Sequence, residues 1–137
     1  MISTQLARAL RDSGLSWKPA VGDWFRIDRI EAEEDVFILS DMTVEAHQYD
    51  TGTVLGFNGT TEWALDSVEV DAALWLPREH QLRAMLGPAF VSLAPGFVVS
   101  ATIDGTVQTF TADDAEDAYA RALLALLDSV IAVEPEF

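Results

Sequence analysis

Cysteine is absent from this 137-residue chain, which removes disulfides, thiolate nucleophiles and zinc-thiolate sites together. Histidine occurs only at His47 and His80, and the one lysine, Lys18, stands beside Pro19. A Ser-His-Asp arrangement would have to recruit one of those two imidazoles through tertiary contact, and no Gly-x-Ser-x-Gly elbow is present to help it. Neither Gly-x-x-x-x-Gly-Lys nor Gly-x-Gly-x-x-Gly occurs, so nucleotide hydrolysis of the P-loop kind is excluded and no cofactor is expected. No apolar run approaches the ~20 residues of a membrane span. Met1 to Gln5 leads into a polar amphipathic segment without a basic region or a continuous apolar stretch. The expectation is a cytoplasmic protein without a signal peptide.

Acidic residues, in contrast, are abundant. They number 23 against 8 basic ones and give a net charge of -15. A phosphate backbone or an anionic lipid surface would be repelled, so neither nucleic acid nor membrane is an expected partner. The acidity fits a solubility device, an acidic face for a basic protein, or mimicry of nucleic acid, and charge alone does not choose among them. A chain of this length buries enough surface for one core, and residues 1–137 are read as a single domain.

Hydrophobic periodicity predicts a first helix over 3–13, with Ile2, Leu6, Ala9 and Leu10 on one face and Gly14 as its stop. Strands follow at 22–27 and at Val36 to Leu39, the latter apolar on both faces and read as central. Residues 42–49 and 53–57 continue the sheet. Asn58-Gly59 forms a two-residue turn, and 60–68 is a returning strand, with a short helix over 62–67 as the alternative. Leu74-Trp75-Leu76 is an apolar plug before a helix over 77–86, opened by Pro77 and ended by Gly87-Pro88. A second meander, 90–93, 97–103 and 106–110, turns at Asp104-Gly105. The last element is a long helix over 112–133, with Thr111 as its N-cap and Asp114 three residues on. Its residues Tyr119, Ala122, Leu123, Leu124, Leu126, Leu127, Val130 and Ile131 fill more than one stripe. Such a helix must be covered by the rest of the chain or by a second copy, and a homodimer through it is one outcome. Segregated runs of strands and helices make the class α+β, with antiparallel sheet and the helices packed on it.

The candidate polar site is the row Thr43, Glu45, His47 and Tyr49, which period-two spacing projects to one side of a strand, with Asp41 extending it and Trp63 as a neighbouring aromatic. A carboxylate and an imidazole two residues apart can act as an acid-base pair or as two ligands. A half-exposed strand in solvent has the same pattern, and one strand cannot supply a converging set. Glu79-His80 in the first turn of a helix is an ordinary exposed pair. Trp17, Trp24 and Trp75 are read, with Trp63, as large core residues more readily than as a ligand groove.

The segments Ser40 to Glu45, Gly56 to Val68, Leu74 to Leu82 and Asp114 to Leu124 resemble a family of small actinobacterial proteins, some of them labelled pilus assembly proteins. The resemblance implies a family and a process, with no catalytic chemistry and no site residues. A non-enzymatic adaptor that binds a protein partner, perhaps a basic one, is therefore the expected function. A small-ligand binder or enzyme using Thr43, Glu45, His47, Tyr49 and Trp63 is the alternative.

Overall fold

A computed structural model describes residues 1–28, 35–39, 44–49, 52–57, 67–69 and 72–132. The class is α+β, and the sheets are antiparallel throughout the described residues. The chain divides into two compact units, residues 17–76 in one and residues 1–16 with 77–137 in the other.

In the unit formed by 1–16 and 77–137, helix α1 (Thr4–Asp12) begins where Ser3 Oγ accepts the Leu6 N–H at 3.2 Å. It ends in a Schellman turn, with Leu15 N–H donating to Leu10 O and Gly14 N–H to Arg11 O, and Gly14 at φ 103°. A left-handed residue at that position closes the helix's open carbonyls and favours glycine. Ile2, Ala7 and Leu10 are buried, whereas Leu6 and Ala9 are half-buried. The inward stripe is thus rotated slightly from the one the periodicity predicts.

Helix α2 (Glu79–Leu86) starts two residues later than predicted, because Arg78 holds the capping position and its N–H is taken by Gln81 Oε1 at 2.9 Å. Leu82 and Leu86 are buried. A short 3-10 turn over Gly87–Ala89 carries Pro88 and leads into strand β7 (Phe90–Ala94). Strands β8 (Val98–Ile103) and β9 (Thr106–Thr111) complete a sheet of order β7-β8-β9. Asp104 and Gly105 both have positive φ, 52° and 79°, the geometry of the two-residue turn that suits strand twist.

Helix α3 (Ala115–Ala132) is the element around which this unit is built, packing against α1, α2, β8 and β9. It begins later than the sequence indicates. Thr111 pairs with Val98 as the last residue of β9, so the ladder takes the residue that the capping rule assigned to the helix. Asp114 caps instead, its Oδ1 accepting the Asp117 N–H at 2.8 Å. Asp117 in turn accepts the Ser3 N–H at 2.7 Å, and Asp128 accepts the Ser13 hydroxyl at 3.1 Å. Both ends of α1 are therefore tied to α3 in the same order along the chain, and the two helices run parallel. Tyr119 is buried and stacks on Phe90 at 5.8 Å, whose ring carries the Arg83 guanidinium at 4.4 Å.

Two groups here tie stability to alkaline pH. The Met1 ammonium lies 2.9 Å from Glu116 and 3.4 Å from Asp114, and chiefly the hydrogen bond it donates to Glu116 holds its pKa above the ordinary value. Burial, aided by the Glu79 charge, pushes the Tyr119 phenol up. In both cases the folded pKa exceeds the unfolded one. Their contribution is complete below about pH 8 and about pH 10 respectively and is lost as pH rises through the folded values. Thermal melts of the helix signal should fall progressively above pH 8, and Tyr119→Phe should remove the part of the decline above pH 10. A melting temperature flat from pH 7 to pH 11 would contradict both assignments.

In the 17–76 unit, strand β1 (Trp24–Ile27) is central in a sheet of order β2-β1-β6, between β2 (Phe37–Ile38) and β6 (Ala73–Trp75). Among the described residues the Val36 to Leu39 run is thus an edge strand with Ile38 exposed, and not the central strand that its apolar content suggests. The apolar plug at 74–76 is where that second neighbour comes from, with Phe25 opposite Trp75 and Ile27 opposite Ala73. Phe25, Ile27, Leu39 and Ala73 form the core, and Trp17 and Phe37 pack on it. A further sheet, order β3-β4-β5, joins β3 (Val44–Tyr49), β4 (Gly52–Phe57) and β5 (Ser67–Glu69). The Asn58-Gly59 turn and the strand-or-helix alternative at 60–66 lie outside the described residues.

Candidate interaction surface

The predicted polar row is placed only in part. Glu45, His47 and Tyr49 occupy alternate positions of β3, in register with Gly56, Val54 and Gly52 of β4. Thr43, Asp41 and Trp63 lie outside the described residues. Among the described residues no group of three or more metal-ligating side chains gathers, and no helix is long and apolar enough to cross a membrane.

The buried carboxylate of the 17–76 unit has a structural explanation. Asp23 is 5% exposed, and its Oδ2 accepts the Trp17 indole N–H at 2.9 Å and the Ala20 N–H at 3.0 Å. Its main chain receives the Leu39 N–H at 2.9 Å, while Gly22 N–H donates to Leu39 O. The carboxylate therefore pins the 17–22 connection and holds Trp17 against Phe25 and Trp75, at 5.5 and 6.4 Å. The carboxylate thus serves to hold the connection in place, and Trp17 serves the core. Asp23→Ala would leave two partly buried donors without their acceptor and should lower stability by about 1 to 3 kcal/mol. Asp23→Asn, which keeps an acceptor, should recover more than half of that in a denaturant melt.

The β7-β8-β9 sheet has a different character. Val99, Ala101 and Ile103 of β8 are buried on the side that meets α3. Residues directly opposite across an antiparallel ladder share a face, so register places Ser92, Ser100 and Thr109 in one row of the other face. Ala94, Val98 and Thr111 form a second row, and Thr102 with Val107 a third. This outer face is open, with β7 and β9 exposed nearly throughout. It carries no charge. Val107 is exposed in its third row, and Phe97, 45% exposed at φ 56°, stands at the β7-β8 turn. Bulky residues rarely adopt positive φ, and this one places an aromatic ring in solvent at the end of an uncharged sheet.

Sequence reasoning passed over this surface because it searched for polar groups that could do chemistry. The available signal was an absence: between Arg83 and Asp113 the only charged residue is Asp104, in a chain of net charge -15. Three strands about 4.8 Å apart and about 20 Å long present on the order of 300 Å², the size of a functional patch and less than the roughly 800 Å² per partner of a standard interface. Comparison with protein-family models, with curated proteins and with solved structures finds no match to this chain.

Proposed function

We propose that this protein is a non-enzymatic interaction module that engages a protein partner on the outer face of the β7-β8-β9 sheet. The observation that carries the reading is the pairing of an open, charge-free sheet face with a chain of net charge -15. An uncharged centre is cheap to desolvate, and Phe97 offers the kind of aromatic anchor that dominates binding energy. The acidic surroundings favour a partner with a basic rim, whose capture weakens as salt rises and the Debye length shrinks. The resemblance to proteins labelled for pilus assembly names the process in which to look first.

The test uses the full chain as bait in extract from its native host, beside two variants. Ser100→Glu puts a charge in the middle of the face, and Phe97→Ala removes the aromatic. Proteins held by the wild type should be lost with either variant and released at about 0.5 M salt. Retention of the same proteins by both variants would overturn the reading.

Glu45, His47 and Tyr49 support a second reading, a small-ligand or catalytic site, because Glu45 and Tyr49 each stand opposite a glycine across the ladder. Glu45→Gln combined with His47→Ala should leave the captured proteins unchanged under the interaction reading. Turnover that disappears in the double variant would establish the catalytic one.

A further inference from the structure

β9 is an edge of its sheet among the described residues. The two-residue turn at Asp104-Gly105 makes Ile103 and Thr106 the first ladder pair. Main-chain groups alternate from there: Thr106, Gln108 and Phe110 direct theirs toward β8, and Val107, Thr109 and Thr111 direct theirs away. Proteins ordinarily blunt such an edge with charge, proline or a bulge. The opposite edge is blunted in this way, since Pro88 and Pro95 flank β7 and its register shifts between Phe90 and Ser92. β9 has none of these devices. Its sequence Thr106-Val107-Gln108-Thr109-Phe110-Thr111 contains no charge and no proline, and it pairs with β8 in unbroken register from end to end.

We infer that β9 pairs with β9 of a second copy of this chain, antiparallel about a two-fold axis at Thr109, to form one continuous six-stranded sheet. An antiparallel edge is complementary to itself under a two-fold axis. Thr109 meets its own symmetry mate and Val107 meets Thr111, giving about six new main-chain hydrogen bonds. Charge selects the occupant. A basic partner finds no carboxylate along this strand, and a second copy carrying -15 is repelled wherever acidic residues face one another but is admitted here. The helix surface that the sequence offers for self-association is largely occupied within the chain, where only Arg121, Asp128 and Val130 are exposed among residues 115–130 of α3. Pairing through β9 also places two outer faces side by side, to roughly 600 Å², closer to what a stable interface needs. The inference rests on the edge geometry and stands apart from the choice of partner for the face.

At the rim, Asp104 of each copy approaches Asp113 of the other. Their repulsion is screened within ~10 Å at 0.1 M salt, so the dimer should strengthen as salt is added, opposite to capture of a basic partner. Sedimentation of the full chain from on the order of 1 µM to 1 mM, at about 0.05 and 0.5 M salt, reads this directly. The wild type should pass from monomer to dimer, at lower concentration in high salt. Asp104→Asn should move the low-salt midpoint toward the high-salt one. Thr109→Lys sets like charges across the axis and Val107→Lys puts a charge against Thr111 of the other copy; each should abolish the dimer with an unchanged helix signal, either one sufficing if the other fails to fold. Val91→Lys on β7 should leave it intact. A monomer at every concentration, a dimer that survives the β9 lysines, or one that salt weakens would overturn the inference.

Discussion

Leu123→Ala is expected to lower stability by about 2 to 5 kcal/mol, the transfer free energy of the lost atoms plus the cavity they leave. Leu123 is 2% exposed in α3, the helix on which α1, α2, β8 and β9 converge, so surrounding groups cannot collapse without moving several elements. Leu126 and Leu127 are half-buried, and their truncation should lower stability by less than half as much. The helix signal at 222 nm is the appropriate readout because α1, α2 and α3 all belong to the unit of residues 1–16 and 77–137. Equal effects at all three leucines would mean that α3 is buried more uniformly than its burial pattern indicates. No effect at Leu123 would remove α3 from the centre of this unit.

Phe25→Ala should have an effect of comparable size in the other unit, about 3 to 5 kcal/mol. Phe25 is fully buried on the central strand β1, with the Trp17 and Phe37 rings each 5.5 Å away. Removing it strips contacts from both rings and from the Ile27, Leu39 and Ala73 cluster. All four tryptophans fall within residues 17–76, so tryptophan fluorescence reports this unit as the 222 nm signal reports the other. A fluorescence transition that does not move in Phe25→Ala would place the core of residues 17–76 elsewhere. Following both signals in both variants also shows whether the chain unfolds in one step.

The local signals that proved legible were those in which chemistry and backbone geometry coincide. Gly14 ends α1 and Asp104-Gly105 turns the hairpin because those positions have positive φ, and the α+β class follows from runs of strands and helices that are visible in the sequence. Elements whose limits depend on a partner were less legible. Thr111 and Asp114 are both good caps, and only the pairing of Thr111 with Val98 decides for Asp114. The run Val36 to Leu39 is apolar enough for a sheet centre, but strand order is a tertiary property, and Leu74-Trp75, far along the chain, takes the other side of β1. As for the site, period-two spacing puts Glu45, His47 and Tyr49 at alternate positions of one strand, and only that backbone placement is seen in β3. The outer face of β7-β8-β9 is not readable from spacing, since Ser, Thr, Val and Ala alternate in open and covered sheets alike, and the direction in which α3 packs determines which side remains open.

Hydrogen exchange on the full chain, alone and with the protein it captures, tests the central claim most directly. Binding on the sheet face predicts slowed exchange of amides within 90–111, strongest in β8 and β9, with little change in 44–57. Protection confined to 44–57, around Glu45, His47 and Tyr49, would contradict the assignment and return the functional site to the β3 row.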